Sequence, residues 1–114
     1  MTFKVLYLDD ESELCDIFAE EISCKEVQVT TFTNAKSAID HSIKDQPNMI
    51  FLDYRLNDTS GDEVALCMPA DIPKYLITGD IMLKPNFDFV QIFSKPTDYK
   101  QLAELIQSAR KIKD

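Results

Sequence analysis

Polar residues suited to binding a cation and a phosphoryl group follow four apolar runs of this sequence. Asp9 and Asp10 follow the first apolar run. Asp53, Thr78 and Lys95 follow the second, third and fourth runs, respectively. If the runs are parallel strands of one sheet, their carboxyl ends meet at one edge and the five residues share a crevice. Three carboxylates, a hydroxyl and an ammonium are a suitable set for a hard divalent cation and a phosphoryl group.

The sequence predicts alternating strands and helices, and these elements must position the site residues. The predicted strands cover residues 3–8, 27–32, 49–52, 72–77 and 89–93. Helices are predicted from 12 to 23, after Asn34 as a cap, from about 62 to 68, and from 97 or 98 onward. Their predicted inward stripes are Leu14, Ile17, Phe18 and Ile22; Ala35, Ala38, Ile39 and Ile43; and Leu102, Leu105, Ile106, Ala109 and Ile112.

This alternation predicts an α/β domain with a five-stranded parallel sheet, one domain over residues 1–114. Right-handed crossovers restrict its topology. In the flavodoxin-like, doubly wound order 2-1-3-4-5, strands one and three are neighbours, so Asp9, Asp10 and Asp53 lie where the winding reverses. The fourth helix, between strands four and five, is predicted to be short or absent, because the interval is short and Pro85 interrupts it.

The composition excludes several classes of function. The net charge is −8, which argues against binding nucleic acid or an anionic membrane surface. The apolar runs are too short to span a bilayer, and the N-terminus lacks the shape of a signal peptide. The three cysteines have no metal-ligand spacing and indicate reduced thiols in the cytoplasm. The single histidine, His41, cannot form a histidine-pair metal site and is expected to be exposed.

The clustered carboxylates suggest a specific chemistry. Like charges raise one another's pKa unless a cation intervenes, and Mg²⁺ is the natural candidate. An ionised Asp53 can attack phosphorus and form an acyl phosphate. Lys95 can neutralise charge on the transferring group, and the Thr78 hydroxyl can donate to a phosphoryl oxygen.

The chain resembles the receiver domain of two-component response regulators. The motifs that carry the resemblance are Tyr7-Leu8-Asp9-Asp10-Glu11, Phe51-Leu52-Asp53-Tyr54-Arg55-Leu56, Leu76-Ile77-Thr78-Gly79-Asp80 and Phe93-Ser94-Lys95-Pro96. The resemblance implies that Asp53 is the phosphoacceptor and that Thr78 and Lys95 contact the phosphoryl group. It also implies an Mg²⁺ site formed by the side chains of Asp10 and Asp53 and the backbone carbonyl of Arg55, with Asp9 acting mainly through water. The Lys95–Pro96 peptide is often cis in this family.

The function implied is signalling rather than enzymatic, beyond self-phosphorylation from a phosphodonor and autodephosphorylation. The phosphoryl group would come from a histidine kinase or a histidine phosphotransfer protein, in a two-component system or a phosphorelay. The receiver would then act on an unknown downstream protein by direct contact. The sequence does not distinguish a standalone receiver from part of a larger regulator or hybrid kinase.

Two alternatives remain open from the sequence. One is a receiver-like binding module that works without phosphorylation, although the complete set of site residues argues against it. The other is a phosphohydrolase with an aspartate nucleophile, but such enzymes commonly need an acid two residues later, where this chain has Arg55. A dinucleotide-binding domain is disfavoured because no glycine-rich loop follows the first strand.

The region that transmits the phosphorylation state departs from the family pattern. Receivers often place an aromatic ring three residues before the lysine, where this chain has Ile92, while the side chain of Phe93 should face the other way. We therefore hypothesise that phosphorylation is retained while its readout has moved. Arg55 and Asp80 should flank the site and are able to pair. The apolar residues of the shortened segment either pack on the sheet or form a docking patch: Ile81, Met82, Leu83 and Phe87.

Overall fold

Five strands and four helices make up the described part of the chain. The computed structural model describes residues 2–80 and 82–113. The strands are β1 (Phe3–Leu8), β2 (Val27–Phe32), β3 (Met49–Asp53), β4 (Lys74–Thr78) and β5 (Ile92–Ser94). The helices are α1 (Ser12–Ile22), α2 (Ala35–Asp45), α3 (Gly61–Cys67) and α4 (Tyr99–Lys113). None of these helices is both long and apolar enough to cross a bilayer.

The strands form one parallel sheet in the order β2-β1-β3-β4-β5. This confirms the predicted flavodoxin-like, doubly wound topology. β1 and β3 are neighbours, with Leu8 opposite Leu52. The winding reverses between these two strands, so the ends of β1 and β3 open a crevice at that edge of the sheet.

Two apolar layers cover the faces of the sheet. One packs α1 and α4 against the strands around Phe18, Phe51 and Leu102. The other packs α2 and α3 around Ala38 and Val64. Because both faces are covered, every residue of β3 and β4 is buried, as is typical of central parallel strands.

Most residues of the predicted apolar stripes are buried or half-buried, but three are not. Ile17, Ile43 and Ile112 were expected to face inward, and all three are exposed. Cys15 and Ser42 are both buried. The thiol of Cys15 contacts the Asp9 carbonyl, and the hydroxyl of Ser42 donates to the carbonyl of Ile39, so both polar groups are satisfied inside. The cap at Asn34 is confirmed, since its side chain accepts a hydrogen bond from the amide of Ser37.

The segment between β4 and β5 forms no helix in its described residues, 79–80 and 82–91. β5 is also shorter than predicted, because residues 89–91 precede the strand, and it ends one residue later, at Ser94. Leu83 and Phe87 pack against the same apolar layer as α3, whereas Met82 is exposed. Ile81 lies outside the described residues. The extended segment therefore covers part of the sheet face where a crossover helix would pack.

Two buried polar residues hold this segment in place. The carboxylate of Asp62 in α3 accepts a hydrogen bond of 2.6 Å from the amide of Asn86. Its other oxygen has no hydrogen-bond partner among the described residues. The ammonium of Lys74 lies 5.7 Å from the ring centre of Phe87 and donates to two backbone carbonyls, and burial lowers its pKa. The segment is thus attached to both α3 and β4.

Candidate functional site

The three carboxylates predicted to bind a cation lie together at the carboxyl edge of the sheet. Asp9 directly follows β1, Asp10 follows it, and Asp53 is the last residue of β3. Each offers an oxygen within 4.8 Å of those of the other two. Asp9 and Asp53 are buried and Asp10 is half-buried. The parallel pairing of β1 and β3 therefore produces the predicted cluster.

Lys95 joins two of these carboxylates. Its ammonium lies 3.2 Å from Oδ2 of Asp9 and 3.3 Å from Oδ1 of Asp53. Its amide donates to the carbonyl of Thr78, and the Lys95–Pro96 peptide is cis. Burial disfavours the charge on Lys95, but Asp53 and Asp9 outweigh that effect and raise its pKa. The lysine is therefore a fixed, fully charged group at the site.

Thr78 and the paired side chains of Arg55 and Asp80 complete the wall of the crevice. Thr78 ends β4, and its hydroxyl oxygen accepts from the amide of Asp80, so its proton is available to a ligand. The predicted pairing is confirmed: Nη2 of Arg55 lies 2.8 Å from Oδ2 of Asp80. Hydrogen bonds from Arg55 and from the amide of Met82 lower the pKa of Asp80.

These groups enclose an open cavity of about 530 Å³, which is ample for a phosphoryl group. It is lined by Asp10, Glu11, Asp53, Arg55, Thr78, Gly79, Asp80 and Lys95. Another cavity of about 440 Å³ lies between α2 and α3, and its walls include none of the carboxylates of the cluster. The crevice at the sheet edge is therefore where the site chemistry is concentrated.

Asp53 is held in an environment that opposes its charge. Burial and the neighbouring Asp9 raise its pKa to about 6, even though Lys95 acts in the opposite direction. The carboxylate of Asp53 is still mostly ionised at neutral pH, and an additional positive charge nearby would favour its ionised form further. A cluster of carboxylate oxygens is the donor set that Mg²⁺ prefers, so the residues present fit this cation.

The sequence did not reveal the role of Gly61, which comes close to Asp53 from the start of α3. Its amide donates to the carbonyl of Tyr54 at 2.8 Å. A Cβ atom at this position would lie 2.7 Å from the backbone oxygen of Asp53 and 3.0 Å from Cδ1 of Leu76. Only a residue without a side chain fits there while Asp53 keeps its position.

We predict that Gly61→Ala lowers the free energy of unfolding by about 2 kcal/mol, because the backbone of Asp53 must shift. Chemical denaturation measures this change. Gly79→Ala is the matched control, since a Cβ there meets nothing within 4 Å. Equal stabilities for the two variants would contradict the close approach.

Tyr7 is a further site residue that the sequence did not reveal, although it belongs to the first motif. Its hydroxyl donates to Oδ2 of Asp9 at 2.6 Å. Alternation along an extended strand places residues two apart on one face, and this pattern connects Tyr7 with Asp9. The hydrogen bond also depends on the packing of α1, which the pattern does not describe.

Comparison with solved structures shows the class of fold. No protein-family model matches the chain. A signal receiver domain of an HD domain-containing protein from Pseudomonas fluorescens Pf-5 has a TM-score of 0.86 at 16% identity, covering 97% of this chain and 96% of that one. A receiver domain from Methanospirillum hungatei JF-1 has a TM-score of 0.84 at 19% identity, covering 97% and 98%. One from Methylobacillus flagellatus has a TM-score of 0.81 at 20% identity, covering 96% and 99%.

The chain therefore has the fold of response regulator receiver domains. The fold implied by the sequence motifs is confirmed over almost the whole chain. Identity at this level is evidence of the fold alone.

Proposed function

We propose that the chain is a phosphoacceptor receiver of a two-component system or phosphorelay, with Asp53 as the residue that is phosphorylated. One observation carries the proposal. Asp53 lies at the end of a buried strand with a lysine ammonium 3.3 Å from its carboxylate and two more carboxylates beside it. This arrangement supplies a nucleophile, a group that stabilises negative charge and a set of cation ligands in one crevice.

The residues divide the reaction among them. A carboxylate oxygen of Asp53 forms a bond to phosphorus while the bond from phosphorus to the donor breaks, and the donor leaves with that electron pair. The Lys95 ammonium would stabilise the phosphoryl oxygens and the Thr78 hydroxyl would donate to one of them, since both residues line the same crevice as Asp53. The side chains of Asp10 and Asp53 and the backbone carbonyl of Arg55 are the proposed direct ligands of Mg²⁺, and Asp9 would act mainly through a bound water. When bound, that cation supplies positive charge that offsets the carboxylates and the phosphoryl oxygens.

The proposed donor is a phosphorylated histidine of a kinase or of a phosphotransfer protein in the cytoplasm. The downstream partner is an unknown protein recognised by direct contact. The phosphohydrolase alternative is weakened because the residue two positions after Asp53 is Arg55, and a guanidinium cannot serve as the general acid. The passive binding module remains the alternative that experiment must exclude.

Incubation with Mg²⁺ and acetyl phosphate, followed by intact mass measurement, tests the proposal. We expect one phosphoryl adduct in the wild type and none in Asp53→Asn. Asp40→Asn is a matched control because Asp40 is an exposed acid on α2, and it should behave as the wild type. The absence of any adduct would favour the passive module. Repeated release of phosphate without an adduct would favour the hydrolase.

We also propose that the readout of phosphorylation involves the extended segment before β5. Ile92 is 48% exposed and Phe93 is buried, so no aromatic ring stands ready to swing inward at position 92. The segment is instead attached to α3 through Asp62 and Asn86, and α3 begins at Gly61 beside the Asp53 backbone. A short physical route therefore leads from Asp53 to the segment.

We predict that a phosphoryl mimic such as beryllofluoride with Mg²⁺ changes hydrogen exchange of residues 82–90, with the amide of Asn86 among those affected. Exchange measured by NMR on the wild type tests this. Asp53→Asn serves as the control and should show no change. Altered exchange restricted to the acidic crevice would contradict the moved readout.

A further inference from the structure

The buried side chain of Tyr7 reaches the acidic crevice from inside the sheet. It is 2% exposed, and its hydroxyl donates a short hydrogen bond of 2.6 Å to Oδ2 of Asp9. Its ring stacks on Phe18 of α1 with centroids 4.1 Å apart and planes 6° apart. The hydroxyl is therefore held against the carboxylate by packing on a rigid core.

Both oxygens of Asp9 are occupied in this arrangement. Oδ1 accepts from the amide of Glu11 at 3.0 Å. Oδ2 accepts from Tyr7 and also from the ammonium of Lys95, at 3.2 Å. The same ammonium lies 3.3 Å from Asp53, so it stands almost equally close to the two carboxylates.

The Tyr7 hydroxyl affects this balance because it competes for the same oxygen. The Tyr7 hydroxyl, 2.6 Å from Oδ2 of Asp9, partly neutralises the negative charge of that oxygen. The attraction between Asp9 and the Lys95 ammonium is therefore weaker. Without the hydroxyl, Asp9 would draw the ammonium away from Asp53. Asp9 is fully buried, so water cannot take the place of the missing donor at no cost.

We propose that Tyr7 is a positioning residue for phosphoryl transfer. Its hydroxyl holds Asp9 and moderates the attraction of that carboxylate for Lys95, which leaves the ammonium free to interact with the phosphoryl group on Asp53. The inference rests on the proposed phosphoacceptor function. Tyr7 acts through Asp9 and Lys95 and touches neither the donor nor the phosphorus.

A simpler explanation is that a buried tyrosine hydroxyl needs some partner, and Asp9 is the nearest. The two explanations differ in what Tyr7→Phe does. Under the simpler one, the change alters stability and leaves Lys95 undisturbed. If Tyr7 positions Lys95, its effect on the rate must pass through that lysine.

The kinetic test compares Tyr7→Phe with the wild type at saturating Mg²⁺ and varied acetyl phosphate. We expect the maximal rate of adduct formation to fall about fivefold to tenfold, with the apparent KM for acetyl phosphate changed by less than about twofold. In a Lys95→Met background, Tyr7→Phe should cause no further loss. Tyr75→Phe is the matched control, since Tyr75 is a buried tyrosine of the same apolar layer.

A second readout needs no phosphodonor. The Cε and Hε NMR signals of Lys95 should shift in Tyr7→Phe and stay in place in Tyr75→Phe. Two results would overturn the proposal. One is that the Lys95 signals do not shift in Tyr7→Phe. The other is that Tyr7→Phe lowers the rate of adduct formation equally in the wild-type and Lys95→Met backgrounds. If the wild type took up no phosphoryl group, the proposed receiver function would be contradicted. The Lys95 signals would still show whether Tyr7 positions the lysine.

Discussion

At neutral pH and without a divalent cation, Asp53→Asn is expected to stabilise the fold by about 3 kcal/mol. The pKa of Asp53 is raised from 3.8 to about 6, first by burial and then by Asp9. Each pKa unit corresponds to about 1.4 kcal/mol, so ionising this carboxyl in the folded chain costs about 3 kcal/mol more than in the unfolded chain. Asparagine removes the charge with little change of shape.

The dependence on pH has a definite sign. The folded state binds the proton of the Asp53 carboxyl more tightly than the unfolded state does. The stabilisation that protonated Asp53 gives the fold is therefore fully present below pH 3.8 and is lost as the pH rises through about 6. The free energy of unfolding of the wild type should therefore fall relative to that of Asp53→Asn across this interval. Mg²⁺ should restore stability to the wild type and have less effect on the variant.

Urea denaturation from pH 4 to pH 8, with and without Mg²⁺, measures this difference. Asp40→Asn is again the control because that acid is exposed on α2, and its stability should follow that of the wild type. Equal stabilities of wild type and Asp53→Asn at pH 7 without a cation would contradict the electrostatic account of the crevice.

Lys95→Met is expected to reduce the rate of phosphoryl uptake by about 100-fold, the usual scale for losing a group that stabilises developing charge. The ammonium lies within 3.3 Å of both Asp9 and Asp53, and methionine keeps the volume without the charge. The same change leaves two buried carboxylates without their cation, so stability should fall by about 3 kcal/mol. The two effects are measured separately, by initial rates of adduct formation and by denaturation.

Lys100→Met is the control for this substitution, because Lys100 is an exposed lysine on α4. It should leave both the rate and the stability close to those of the wild type. A rate for Lys95→Met within twofold of the wild type would show that the lysine does not stabilise the transferring group.

The arrangement of the site residues could be predicted from the sequence because the parallel sheet dictates it. Asp9, Asp53, Thr78 and Lys95 each follow or end a different strand, and parallel strands bring their carboxyl ends to one edge. Pro85 and the short interval around it likewise indicated that no full helix precedes β5. These predictions depend on local patterns and one topological rule.

Other features depend on packing that local patterns do not describe. Ile43 fits an apolar stripe but is exposed, whereas the neighbouring polar residue Ser42 is buried. The requirement for glycine at position 61 arises from how the loop after β3 returns to that strand. Such contacts involve elements separated along the chain, so the sequence pattern alone could not place them.

The central claim is that Asp53 accepts the phosphoryl group, and chemical trapping tests it most directly. Wild-type protein phosphorylated by acetyl phosphate and Mg²⁺ is reduced with borohydride, which converts an aspartyl phosphate into homoserine, and the peptides are then analysed by mass spectrometry. Homoserine should appear at position 53 and at no other aspartate. Homoserine at Asp9 or Asp10, or none at all despite a mass adduct, would contradict the assignment.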